Sequence, residues 1–343
     1  MHWEKLRDLP FEVGDVTMEM QAVQVAPEFE RRTTIVHLRP EAGARAEYGD
    51  GIGEDVTYDP EEHRSHTFPW IDLRGTWTLG SLSEHLDGID LFPNGAPSQP
   101  AYRDYRRWAF ESAALDYALK QNGLNIASAL EVEPKPVRFV SSNRAASIDE
   151  WLELYPDLRF KLDPTADWTD EFVAKLAPRG IVDVVDLKGQ YSGTPVDNPA
   201  DPELYRRVAE AFPEAWIEDP SLTPETDKVL EPHRDRITWD APIHSWADVE
   251  ALSFPPKCLN CKPSRFGKLE RLLEFYERCE ERGIQLYGGG QFELNVGRGQ
   301  IQVLASLFHA DASNDVAPGG YNAQEPRPGL ETSPLEPDLA PLG

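Results

Sequence analysis

Val182-Asp-Val-Val-Asp186, Ala215-Trp-Ile-Glu218, Ile237-Thr-Trp-Asp240 and Cys258-Leu-Asn-Cys-Lys262 are four short apolar runs, each closed by a charged residue. A fifth, Gly283-Ile-Gln-Leu-Tyr287, leads into Gly288-Gly-Gly290 and Glu293. Amphipathic segments separate them, so strand and helix alternate at roughly 22 to 32 residues per step, the length of a βα unit. Charged residues at the ends of successive parallel strands favour the barrel form, because there the C-terminal strand ends converge on one face. Three carboxylates meeting at such a face suit a hard divalent cation, and a lysine beside them suits a base.

Working outward, Val137-Arg-Phe-Val-Ser141 reads as the first barrel strand, followed by a helix with Ser147 and Glu150 in capping-box spacing. Leu158-Arg-Phe-Lys-Leu-Asp163 reads as the second strand. Arg159, Lys161 and Asp163 then share one face, and three charges inside a barrel require partners or a solvated mouth. Phe266 to Arg282 and Asn295 to His309 read as helices, and Ala310 to Val316 as the closing segment. If Lys262 points inward, so do Asn260 and Cys258, whereas Cys261 points out. The Cys258/Cys261 pair therefore does not read as a metal or redox motif.

The front of the chain reads as a small α+β domain. Met18–Val25 and Thr33–Leu38 are strands joined across Ala26 to Arg31, Gly43 to Glu54 is glycine-rich, and residues 55–80, with His63 and His66, show no period. Tyr102 to Gln121 is a clear helix ended at Gly123. The division is 1–130 for this domain, 131–322 for the barrel and 323–343 for a proline-rich tail expected to be extended or disordered.

A net charge of −26 disfavours nucleic acid and anionic lipid as partners, because both demand basic surface. No run of about 18 apolar residues is present to span a membrane. The N-terminus lacks a signal-peptide core and cysteines are few, so a cytoplasmic location is expected.

Together these residues resemble the enolase superfamily over about residues 15–320. The likeness rests on the Gly51-Ile-Gly-Glu54 turn, the Arg107 to Asp116 helix, Asp186, the Ile217-Glu-Asp-Pro220 run, Asp240, Asn260-Cys-Lys-Pro-Ser-Arg-Phe-Gly267 and the Gly288 to Glu293 segment. The resemblance implies an α/β fold, a modified TIM barrel with an N-terminal α+β capping domain. It implies magnesium, or manganese in its place, on Asp186, Glu218 and Asp240, with Lys262 as the catalytic base. It places the chain nearest the muconate-lactonising-like branch, which includes o-succinylbenzoate synthases and dipeptide epimerases. The implied reaction is a lyase or isomerase reaction of cycloisomerase or dehydratase type, on a small carboxylate substrate through an enediolate. That family is often homo-oligomeric, and no stretch here marks an interface.

Three departures bear on function. The branch carries Lys-x-Lys on the second strand, where this chain has Arg159-Phe-Lys161-Leu-Asp163. Either Lys161 is the second catalytic lysine, or Asp163 has replaced it and joins the substrate-binding residues. The usual Asp-x-Asn of the third strand is Asp186-Leu-Lys188, which puts a cation near the metal and the substrate. Glu293 occupies the acidic position after the seventh strand and is expected to face the substrate. The short Ala26–Arg31 connection implies a small lid. A non-catalytic protein that keeps the fold and serves in binding or as a scaffold is the alternative that these departures leave open.

Overall fold

The computed structural model describes residues 1–26, 29–41, 48–64, 71–143, 147–191, 196–323 and 325–343. The first domain is a three-stranded antiparallel sheet in chain order: Asp15–Ala26, Phe29–Arg39 and Gly51–Asp55. Helix Tyr102–Gln121 lies across its third strand and runs to the residues its periodicity marks, ending where Gly123 turns left-handed at φ 64°. Contact is so close that a Cβ on Gly53 would sit 2.0 Å from the Ala109 carbonyl oxygen and one on Gly51 2.2 Å from Tyr117 Cβ. Only glycine permits that approach. Residues 75–78, expected to be irregular, form a strand paired with Pro10–Val13, a short ribbon that the missing period concealed. His63 is buried and bonded to Thr34 and Thr57; His66, most of the Gly43–Glu54 glycine-rich start and the tip of the lid connection lie outside the described residues.

Arg31 and Glu54 are among the charged side chains that tie this domain to the barrel. Arg31 is fully buried and donates to the carbonyl oxygens of Thr57 (2.6 Å), Val56 (2.8 Å), Gln291 (2.8 Å) and Phe292 (3.0 Å). The base of the lid hairpin is thereby fixed to the loop after the seventh barrel strand. Glu54 accepts from the N–H groups of Leu294 (2.7 Å) and Gly297 (2.9 Å), satisfying donors at the start of helix Val296–Phe308.

The barrel begins with five parallel strands, Ser141–Asn143, Phe160–Leu162, Val182–Asp186, Trp216–Glu218 and Ile237–Thr238. It continues with the parallel pair Cys258–Cys261 and Gln285–Gly288, joined to the fifth strand by the Asn260 N–H to Trp239 oxygen bond (3.0 Å). The eighth position is reduced to two bridges, Asp315 with Gly289 and Asn314 with Phe139, which close the ring where the 310–316 segment was expected to close it. Helices such as Pro202–Ala211 and Leu269–Arg282 bury their apolar faces outside. Cys258 packs inward with Val184 and Tyr287, while Cys261 joins the outer core with Cys279, as strand parity requires. Ser147 begins helix Ile148–Leu154, but its side chain does not cap that helix.

The proline-rich tail is a correction. Described residues 325–343 are packed down, not disordered: the Tyr155 hydroxyl donates to the Arg327 oxygen (2.7 Å) and accepts from Leu330 N–H (2.9 Å), Leu335 bridges Val137, and Leu342 is fully buried. Tertiary hydrogen bonds replace those that proline denies to regular structure. Among the described residues, no helix is long and apolar enough to cross a membrane.

Candidate active site

Register sets the height of each side chain in the barrel. Asp186 pairs with Glu218, Val185 with Ile217 and Leu162, and Val184 with Lys161. Lys161 therefore starts one pleat below the two carboxylates, level with the apolar layer of Val184, Cys258 and Tyr287, and reaches upward. Its Nζ lies 2.5 Å from Glu218 Oε1 and 3.0 Å from Asp186 Oδ2, and 3.9 Å from Asp315. Asp163, two residues on, stands at the height of Asp186 on the rim, with its side chain 46% exposed. Lys161 and Asp163 thus lie at different depths of the same strand. Lys161 is enclosed by carboxylates, and the position facing the open mouth carries Asp163.

Asp186, Glu218 and Asp219 are all fully buried, and one oxygen from each lies within 4.8 Å of the other two. Asp219 was not expected there. It follows Glu218 directly, so strand alternation would turn it away, but its left-handed backbone (φ 48°) brings it round. Its two oxygens accept from the N–H groups of Asp240 and Ala241, both at 2.8 Å. Asp240, expected as the third member of the group, stands next to it but is held by cations: Arg265 Nη1 at 2.7 Å and Lys262 Nζ at 2.9 Å, with the Tyr191 hydroxyl donating at 3.0 Å. Arg265, Tyr191 and Tyr287 were missed as well. The signals in the sequence were that Asp219 and Arg265 fall inside two of the quoted motifs and that Tyr287 ends a quoted run.

The electrostatics follow from burial and from these contacts. Burial pushes the Glu218 carboxyl well above its ordinary range, and Asp186 adds to this, with Lys161 working against it. Burial and the Asp240 and Asp186 charges raise Asp219 to about 7. Asp240 goes the other way: burial opposes its charge, but Arg265 and Lys262 overcome that and hold it well below the carboxylate range. Burial likewise opposes the Lys161 charge, and Asp186 and Glu218 overcome it and hold Lys161 protonated.

Lys188 has a left-handed backbone (φ 53°), and its own N–H donates to Asp186 Oδ1 (3.1 Å). Its ammonium folds back onto Asp186 Oδ2, 3.7 Å from Asp163 Oδ1. Glu293 is not brought to the carboxylates. It accepts from the Gln291 N–H within its own loop (2.6 Å) and pairs with Arg298 (3.3 Å). A glycine, Gly289, abuts Lys262: a Cβ there would lie 2.9 Å from its Cε.

All the donors in the buried group are carboxylate oxygens, the chemistry a hard divalent cation prefers, and the two ammonium groups resting on them show that the pocket concentrates positive charge. The residues fit such an ion.

The fold, a TIM barrel with a capping domain and an acidic group at the C-terminal strand ends, is shared with solved structures of other proteins. The chain is similar to a crystal structure of the dipeptide epimerase from Methylococcus capsulatus complexed with a Mg ion, at 18% identity and TM-score 0.66, covering 92% of each chain. It is also similar to the muconate lactonizing enzyme from Pseudomonas putida, at 17% identity and TM-score 0.61, covering 89% of this chain and 88% of that one. A stretch of 61 residues is 36% identical to the o-succinylbenzoate synthase of Bacillus subtilis (strain 168), covering 18% of this chain and only 16% of that relative. The chain belongs to the family described as domain of unknown function DUF8230, whose N-terminal domain matches residues 4–129 and whose C-terminal domain matches residues 133–323.

Proposed function

We propose that the protein abstracts a proton next to the carboxylate of a small acid, with Lys262 as the base. Asp186, Glu218 and Asp219 would hold magnesium, or manganese in its place, with Asp240 beside them keeping its contacts to Arg265 and Lys262. The observation that carries this reading is the Lys262 ammonium 2.9 Å from Asp240, whose own N–H is anchored on the acidic group. A bound divalent cation supplies the positive charge against which negative charge builds on the substrate carboxylate.

The chain's own residues do the rest. Lys262 in its neutral form takes the proton at Nζ, and Arg265 and Tyr191 fix the Asp240 carboxylate that aims it. Lys161 acts as the internal counter-ion of Asp186 and Glu218, not as a second base, because its nitrogen is enclosed and its side chain only 2% exposed. With Asp163 on the rim, one base serves the site. That favours an elimination or cycloisomerisation over a racemisation, which needs a base on each face.

The test is exchange of the α-proton for deuterium across a panel of small carboxylic acids, followed by proton NMR with magnesium present. Exchange that drops about a thousandfold or more in Lys262→Ala supports the base assignment. A second reading, a non-catalytic binding or scaffold protein, is favoured by Asp163 at the rim and by the Lys188 ammonium already resting on Asp186. Absence of exchange with every acid, in protein that binds the metal, would decide for it.

A further inference from the structure

We infer that Lys188 is a tethered cation that competes with the divalent ion for Asp186, and that Asp163 is the carboxylate to which it withdraws when the ion arrives. The inference rests on the acidic group being a metal site, and it assigns to that site a built-in control on cation affinity.

Two lysines touch Asp186, and they differ in freedom. Lys161 comes from below, is wedged between Asp186, Glu218 and Asp315, and has only 2% of its side chain exposed, so it has nowhere to go. Lys188 comes from the mouth and has 21% of its side chain exposed. Its ammonium rests on Asp186 Oδ2 with a second carboxylate, Asp163, 3.7 Å away and open to solvent, and with the Tyr191 ring 5.4 Å away. A short swing therefore exchanges one anionic partner for another.

A divalent ion bound through Asp186 adds a further positive charge beside the oxygen that Lys161 and Lys188 already share, and like charges in contact inside a poorly solvated pocket repel strongly, so the lysine that is free to move is the one that leaves. Binding must displace Lys188, and the displaced charge is taken up by Asp163 at the solvated rim, where no unpaired charge is buried. The backbone makes the arrangement specific. Lys188 holds a left-handed conformation that suits asparagine better than lysine. The strained residue is kept in place by its N–H bond to the same Asp186 carboxylate that its ammonium caps. The pocket thus has a closed state neutralised by Lys188 and an open state neutralised by the metal.

The test is a titration of full-length protein with manganese(II), following the loss of the free-ion paramagnetic resonance signal, for wild type, Lys188→Asn, Asp163→Asn and the double variant. Removing the competitor should tighten manganese binding about tenfold or more, about 1.4 kcal/mol per tenfold. Asp163→Asn should weaken binding severalfold, and the double variant should match Lys188→Asn, since Asp163 matters only while Lys188 needs a partner. Asparagine suits the backbone at 188, and Lys188→Gln repeats the measurement should that variant fail to fold. Unchanged or weaker affinity in Lys188→Asn and Lys188→Gln would overturn the competition while leaving the metal site standing. Unchanged affinity in Asp163→Asn would overturn the withdrawal. Failure of every protein, wild type included, to bind manganese would instead remove the metal site itself, and this inference with it.

Discussion

Replacing Lys161 by methionine keeps the reach of the side chain but deletes the ammonium 2.5 Å from Glu218 and 3.0 Å from Asp186. The loss is not symmetric. Asp186 keeps the Lys188 contact, whereas Glu218 is left with the Tyr287 hydroxyl and a long bond from Asn260 (3.5 Å). A buried ion pair broken from one side costs about 3–5 kcal/mol, and a hydrogen bond to a charged group is worth about 1.5–3 kcal/mol. Because only Glu218 loses its cation outright, the expected cost is about 3–4 kcal/mol, a large part of a domain's stability. Urea unfolding with a chelator present reads this directly. Glu218→Gln made in the Lys161→Met background should return about 2 kcal/mol, since the stranded charge is then gone, although the same change costs stability in wild type. Lys161→Met within about 1 kcal/mol of wild type, or simple additivity of the two substitutions, would refute the counter-ion role.

Two further outcomes follow from groups outside the mouth. His309 is buried with Nδ1 on Asn314 Oδ1 (2.7 Å), and burial lowers its pKa from 6.5 to about 4, so the native state holds it neutral. Between those values the unfolded chain takes up a proton that the native state refuses. Stability is therefore full above about pH 6.5 and falls by up to about 3 kcal/mol as the pH drops to about 4. Urea midpoints measured over that range should fall less steeply in His309→Gln than in wild type. Glu54→Ala should strand the N–H groups of Leu294 and Gly297, costing about 2–3 kcal/mol and speeding hydrogen exchange at those amides while the rest of helix Val296–Phe308 stays protected.

What could be read beforehand depended on how local the determining physics is. The helix Tyr102–Gln121 and the strand ends at Asp186 and Glu218 were legible because period and run length are properties of a single segment. The relative depth of Lys161 and Asp163 was not, because both lie on one face of one strand. Only pairing with the neighbour, across a register shift between Phe160 and Lys161, sets their heights. Asp219 escaped notice because a left-handed backbone overrides alternation there, and nothing in Ile217-Glu-Asp-Pro220 announces that angle. Asp240 was placed beside the right neighbours, but its commitment to Arg265 arises from a turn after the sixth strand. The tail misled because its prolines erase periodicity, while the groups that anchor it, Tyr155 and Val137, lie far away in the chain.

On the barrel side Arg31 grips main-chain oxygen atoms, those of Gln291 and Phe292, while on its own domain it holds those of Val56 and Thr57 and lies over the Tyr58 ring at 4.5 Å. Toward the barrel such a clasp is blind to which side chains its partners bear. The segment after the seventh strand can therefore drift during evolution, altering what the mouth accepts, without loosening the attachment of the hairpin above it.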